Sequence, residues 1–300
     1  MKIKAQKSLL TQALIQLQPF LEKRDPSQIT SHIYLKATPE ALILKATDYE
    51  SGLQTAVTSD TIELGEATAN GKKLLEIVKV LKGGEVSLQT QGNFLFIQQG
   101  RSRFKLPTFD PKEYPAFPKD ENLHALNLPS QEFIDSLKKI TPEIDTNNPK
   151  FELNGALIDI YPQKINFVAT DTKRLALVTL EVQRGIRESL IVPKKAIIEI
   201  QKLFLGKFEL FYNLNYLIIK DRQYIFFTKL ISGQFPAYQR IIPKLFKDKI
   251  TLPKDEVQEA LRQVLTISPD ATFTFEKDKT TIKNLEEEMG EVFIELPHPN

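Results

Sequence analysis

Three histidines, His32, His124 and His298, are the natural candidates for acid–base or metal chemistry in a chain without cysteine. Each stands alone. None has a second histidine or a carboxylate at the usual metal-ligand spacing. Asp48 and Asp171 both follow a threonine and suggest paired carboxylates, but they lie in two copies of a repeated segment. Duplication puts them in separate domains, away from any shared acid–base site. There is no phosphate-cradling glycine loop and no nucleophile elbow. No catalytic residue, metal or cofactor is therefore expected. What remains is cationic. Lys72-Lys73 and Lys194-Lys195 stand at equivalent places in two repeats, each at the start of a helical pattern. Positive charge there opposes the helix dipole, so the pairs point to a task outside local folding. Contact with phosphate, which positions a protein without reading bases, is the natural candidate.

The elements that carry these residues repeat. Leu44–Asp48 resembles Phe167–Asp171, and Lys72–Ile77 resembles Lys194–Ile200. Phe104–Leu106 with Tyr114–Ala116 resembles Thr228–Leu230 with Phe235–Ala237. The offset stays close to 122 residues, too long for a solenoid and right for domain duplication. Leu128–Phe133 resembles Leu252–Val257, which opens a third unit. By the same spacing a full third unit would end at about residue 370. The expected domains are 1–120, 121–246 and a partial third, 247–300, without its C-terminal half.

Within a unit, apolar residues recur at helical spacing and then at alternation. Helical stripes run through 7–20, 72–81, Phe133–Ile140, Ile197–Leu203 and Val257–Leu265. Alternating pairs such as Ile33/Leu35, Leu42/Leu44, Val86/Leu88, Phe94/Phe96 and Phe104/Leu106 predict strands. Turn signals fall at Thr38–Glu40, Gln91–Asn93 and Gln99-Gly100. Asn154-Gly155 offers a hairpin-type turn inside an apolar run. The pattern predicts an α+β fold, with helices on one side of antiparallel sheets.

The net charge is only +2, so a whole-chain basic footprint is missing. It is unevenly spread: residues 270–300 hold eight acids and three lysines, a balance of −5, which leaves +7 for the rest. No apolar run is long enough for a membrane span, and the start lacks a signal-peptide core. A cytoplasmic setting is expected.

Several stretches together resemble one family. They are Gly100–Leu106 (GRSRFKL), Leu153–Leu157 (LNGAL), Val168–Ala176 (VATDTKRLA), Ile191–Lys195 (IVPKK) and Thr228–Tyr238 (TKLISGQFPAY), with Ile242–Lys244. This ordered set is similar to the β subunit of bacterial replicative DNA polymerase, the DNA sliding clamp. The resemblance implies a clamp fold: repeated domains, helices lining a pore, and sheets forming the outer wall of a head-to-tail homodimeric ring. It implies a non-catalytic processivity factor that encircles double-stranded DNA without reading sequence. DNA-contact positions of the family fall on Arg24, Lys72, Lys73, Asn147, Phe151, Lys194 and Lys195. The replicative polymerase and the clamp loader would dock short linear motifs in a pocket that matches Leu153, Thr170, Thr172, Arg174, Leu175 and Pro243. A later strand of a full third unit would complete that pocket. The dimer seam would bring Arg101, Arg103, Phe104 and Leu106 against Val264, Leu265, Glu286, Glu287 and Glu288. Other readings are a ring-like interaction protein that has lost DNA loading, and an α+β small-molecule enzyme with a deep polar cleft. A trimeric two-domain clamp is disfavoured by the third-unit opening at Leu252.

Overall fold

The computed structural model describes residues 1–25, 27–119, 121–182, 187–285 and 290–298. Two compact units divide the chain, Met1–Phe235 and Pro236–Asn300. Among the described residues no helix is long and apolar enough to cross a membrane.

The first unit contains one repeat twice. In the first copy β1 (Lys2–Gln6) leads into α1 (Lys7–Leu17), then β2 (His32–Ala37), β3 (Ala41–Thr47), β4 (Ser51–Glu63) and β5 (Gly65–Asn70). Helix α2 (Gly71–Val80) follows, then β6 (Glu85–Gln91), β7 (Phe94–Gln99) and β8 (Ser102–Pro107). The second copy runs β9 (His124–Ala125), α3 (Ser130–Ile140), β10 (Gly155–Ile160), β11 (Lys164–Thr170), β12 (Leu175–Glu181) and β13 (Glu188–Pro193). It ends with α4 (Lys194–Leu203), β14 (Glu209–Tyr212), β15 (Tyr216–Lys220) and β16 (Tyr224–Lys229). Every pairing is antiparallel, and the sequence-predicted α+β class holds.

The helices form where the apolar stripes predict them, and their buried sides are those stripes. Leu10, Leu14 and Leu17 of α1, Leu74 and Val78 of α2, and Phe133, Leu137 and Ile140 of α3 are all fully buried. Asn70 caps α2 by accepting a hydrogen bond from the Lys73 amide at 3.0 Å. Pro129 and Pro193 precede α3 and α4, where no amide donor is needed.

β4 joins the two copies. Its 13 residues pair along one edge with β3, and along the other with β1 at the C-terminal end and β16 at the N-terminal end. The β16 pairing runs from Tyr224↔Thr55 to Thr228↔Ser51. Phe226, Phe227 and Thr228 are buried there. Strand approach at this seam needs a glycine: a Cβ on Gly52 would lie 2.3 Å from Phe227 Cε1 and 3.0 Å from the Ala46 carbonyl. From α1 and the turn after it, Phe20 packs edge-on to Phe226 with centroids 5.9 Å apart, and Gln16 Nε2 donates to the Tyr224 hydroxyl at 2.5 Å.

The Thr-Asp repeat is a turn. Asp48 Oδ1 accepts from the amides of Glu50 and Ser51, and Asp171 Oδ1 accepts from those of Lys173 and Arg174. Thr47 and Thr170 each close their turn through the hydroxyl. The residue after each aspartate, Tyr49 or Thr172, has a left-handed φ of 70° or 76°. In each carboxylate Oδ1 is committed to this turn, and Oδ2 meets a cation, Lys195 or Arg174.

Three sequence readings are corrected. Asn154-Gly155 makes no hairpin: Asn154 ends a short 3-10 turn and Gly155 opens β10 with φ −140°. Gly155 is required by space, because a Cβ would meet the Val192 carbonyl oxygen at 2.6 Å. On β7 the inward residues are Leu95 and Ile97, not Phe94 and Phe96. Both faces of that strand are apolar, and the outer one is covered by Lys105 over Phe94 at 3.6 Å and Arg103 over Phe96 at 4.4 Å. The Phe104–Leu106 and Thr228–Leu230 match is slipped by two residues. The β7–β8 turn at Gly100-Arg101 corresponds to the β15–β16 turn at Arg222-Gln223, which equates Phe104 with Phe226. A two-residue slip keeps every side chain on its face, so alternation could not expose it.

The second unit has α5 (Lys254–Val264) against a three-stranded sheet of β17 (Ala271–Phe275), β18 (Lys279–Asn284) and β19 (Phe293–Pro297). Its core holds Ala260, Val264, Ile282 and Leu296.

His32 is a core residue of the first unit. Its Nδ1 lies 3.2 Å from Thr68 Oγ1, its ring lies 4.4 Å from that of Phe109, and burial pushes its pKa down to about 4. The unfolded chain takes up this proton near 6.5 while the folded chain resists to about 4, so this contribution to stability is lost as pH falls through that window. Chemical denaturation of wild type and His32→Gln should show their stability difference shrinking by about 2 kcal/mol between pH 7 and pH 5. A constant difference would contradict a buried neutral imidazole. Gly52→Val should destabilise the first unit by about 1–3 kcal/mol in the same assay; unchanged stability would mean that the β4–β16 seam can open to fit a side chain.

Candidate nucleic-acid and partner interfaces

The cations predicted to meet DNA split into two groups. Arg24, in the loop after α1, and Lys72 and Lys73, at the start of α2, are exposed. Lys73 pairs with Glu76 at 3.0 Å, an exposed i,i+3 contact worth little. Lys72 makes no ion pair among the described residues. With Lys23, these lysines rim a cleft of about 750 Å³ whose walls include His32, Leu106 and Phe109.

In the second copy the equivalent pair is engaged inside the chain. Lys194 Nζ donates to the Ile144 carbonyl at 2.6 Å and to Thr146 Oγ1 at 2.9 Å. Lys195 pairs with Asp48, across the β4–β16 seam. Lys229 pairs with Glu50 of the same turn at 3.0 Å, and that carboxylate raises the lysine's pKa. The unfavourable charge at the start of α4 thus has a use within the fold, which local sequence could not reveal because Asp48 lies 147 residues away. Asn147, with φ 65°, and Phe151, 67% exposed, project from the loop that Lys194 holds.

Of the residues matched to a partner pocket, Thr170, Thr172, Arg174 and Leu175 lie in and beside the turn that leads into β12, whose outer edge has no strand partner among the described residues. Thr172 and Arg174 are exposed and Leu175 is half-buried. Leu153 and Thr170 are buried, so they support this surface more than they present side chains. Arg174 lies 3.1 Å from Asp171, whose pKa is lowered chiefly by the amides of Arg174 and Lys173. Pro243 belongs to the second unit and is exposed there.

The residues matched to a dimer seam are dispersed. Arg101 and Arg103 are exposed, while Phe104 and Leu106 are half-buried on β8, an edge strand of its sheet. Val264 is fully buried in the core of the second unit, which removes its side chain from a surface role. Its place in the α5 stripe serves that core. The next residue, Leu265, is 56% exposed. Glu286, Glu287 and Glu288 lie outside the described residues.

Among the described residues no group of three or more histidines and carboxylates could hold a metal. A second cleft of about 590 Å³ is lined by residues including Glu121, His124, Glu188 and Tyr212.

Residues 1–118 match the family described as DNA polymerase III beta subunit, N-terminal domain, and residues 127–237 match its central domain. The beta sliding clamp of Helicobacter pylori strain J99 is 38% identical over 97% of this chain and 80% of its own length. That of Caulobacter vibrioides is 30% identical over 90% of this chain and 76% of its own. Among solved structures, the Helicobacter pylori beta clamp bound to a DNA ligase peptide aligns with a TM-score of 0.92 at 37% identity, covering 99% of this chain and 85% of that one. The duplicated helix-and-sheet architecture, the ordered motifs and these matches agree: the chain belongs to the DNA polymerase III beta subunit family, the bacterial DNA sliding clamps.

Proposed function

We propose that two copies of this chain close head-to-tail into a ring around duplex DNA and hold the replicative polymerase there without catalysis of their own. The observation that carries this reading is the edge of β8, which no strand covers among the described residues. Through the hairpin correspondence, Ser102–Leu106 are the repeat copy of Tyr224–Thr228, the segment that β4 covers. Covered, that segment is buried at Phe226, Phe227 and Thr228; uncovered, its copy leaves Phe104 and Leu106 half-exposed beside Arg103 and Lys105. An apolar edge strand of this kind needs a partner or a charged guard.

The strand that fits is β19 of a second copy. In element order α5-β17-β18-β19 repeats α1-β2-β3-β4, so β19 stands where β4 stands. A contact between different surfaces of identical chains gives a ring when its rotation closes. The charge pattern supports the same pairing. Lys195 meets the β3–β4 turn at Asp48, and its repeat copy is Lys73. The sequence between β18 and β19 contains Glu286, Glu287, Glu288 and Glu291. Leu265 supplies exposed apolar surface on the same unit.

Closed around DNA, such a ring needs only weak phosphate contact, because topology prevents escape. Arg24, Lys72 and Lys73, with Asn147 and Phe151, are the surfaces we assign to the duplex. A near-neutral chain is then expected, since tight electrostatic binding would slow sliding. Short linear motifs of the polymerase and the clamp loader are assigned to the β12 edge, with Thr172, Arg174 and Leu175 at its opening. A relative in this family has been solved with a DNA ligase peptide, which supports the peptide mode.

Retention on nicked circular DNA in the presence of a loader tests this reading. The chain should stay on circles and leave rapidly once they are linearised. Arg103→Glu should shorten retention on circles by about tenfold by weakening ring closure. Equal loss from circular and linear DNA would refute encirclement.

A further inference from the structure

The two repeats place charge differently around the same loop. In the first copy the loop after α1 carries Lys23 and Arg24, both exposed, and the helix-start lysine Lys72 is unpaired among the described residues. In the second copy the corresponding loop positions are Thr146 and Asn147, both neutral, and the helix-start lysine Lys194 turns back beneath them.

That loop is extensively tied. Asp145 accepts from the Thr146 amide at 2.6 Å and from Asn148 Nδ2 at 2.5 Å, which hold its carboxyl below the usual carboxylate range. Asn154 accepts from the Asn148 amide at 2.7 Å and donates to the Asn148 carbonyl at 3.0 Å. Asn148 Oδ1 accepts from the Lys150 amide at 2.8 Å. Leu153, 1% exposed, anchors the far end, while Phe151 stays 67% exposed at the tip. At the near end Lys194 holds the Ile144 carbonyl and the Thr146 hydroxyl together.

We infer that Lys194 is a positioning residue, which fixes the 144–154 loop so that Asn147 and Phe151 meet DNA in a set geometry, and that it is not itself a phosphate contact. The inference rests on the sliding-clamp reading for its DNA part, but its structural part stands apart from it. A lysine with two short hydrogen bonds to protein acceptors has lost most of its freedom to follow a moving phosphate. An exposed aromatic on a preformed loop gives a contact that costs little ordering and depends weakly on salt. The first copy would supply the salt-dependent contact through Lys23, Arg24 and Lys72, and the second a shaped, neutral one.

The test compares Lys194→Met, Lys194→Arg and Lys72→Met in the full chain. Amide exchange of Thr146–Phe151 is measured without DNA, and binding to a primed duplex oligonucleotide is measured across salt concentrations. Lys194→Met should speed loop exchange about tenfold and weaken duplex binding at every salt concentration, with an unchanged salt slope. Lys194→Arg should restore both. Lys72→Met should leave the loop unchanged and flatten the slope by about 0.9, one phosphate's worth. The inference is overturned if Lys194→Met flattens the slope while loop exchange stays as in wild type. If wild type fails to bind or be retained on DNA, the clamp reading falls, and the exchange arm still decides whether Lys194 holds the loop.

Discussion

The backbone pairing of β4 with β16 is the contact on which the rest of this structure depends. It merges two repeats into one unit through a single long strand that also holds β1 and β3. Its ladder is backed by Phe226 and Phe227 and flanked by two ion pairs to one turn, Lys195 to Asp48 and Lys229 to Glu50. The exposed ion pairs add little alone, so apolar burial and the close approach at Gly52 carry most of the stability. A seam formed inside one chain is also a pattern for a seam between chains, because duplication supplies its halves again.

Free edges follow from the same constraint. β8 and β12 are each the last strand in their sheet order, and an unpaired edge is a hazard unless it is guarded. Here the guards are cationic: Arg101, Arg103 and Lys105 around β8, and Lys173 and Arg174 at the start of β12. Such charges discourage indiscriminate pairing while favouring an acidic partner. The acidic balance of residues 270–300 offers that complement. In the proposed ring, one distribution of charge would both guard the edges and favour closure, while the chain stays near neutrality.

Much of this was legible in sequence because it is periodic or repeated. Among the described residues all five α-helices fall on the predicted stripes, and the duplication pairs Asp48 with Asp171, although the turn each one closes showed only in the structure. What local pattern could not give was long-range. Nothing near Lys194 or Lys195 names Ile144 or Asp48 as a partner, so both read as free cations. Alternation could not choose between two apolar faces of β7, nor detect a two-residue slip in matching β8 to β16. Val264 fell in the right stripe, but the stripe alone could not distinguish core from interface. The Asn154-Gly155 pair read as a turn because its composition is that of a turn, whereas tight packing against Val192 explains the glycine.

The central claim is that β8 completes the ring by pairing as β16 does. The most direct measurement is hydrogen exchange of the outward-facing amides of Ser102–Pro107, followed as protein concentration is raised through assembly, with sedimentation on the same samples. The account predicts fast exchange when the chain is monomeric and slow exchange, comparable to that of Tyr224–Thr228, once dimers form. Dimers in which those β8 amides still exchange fast would contradict it.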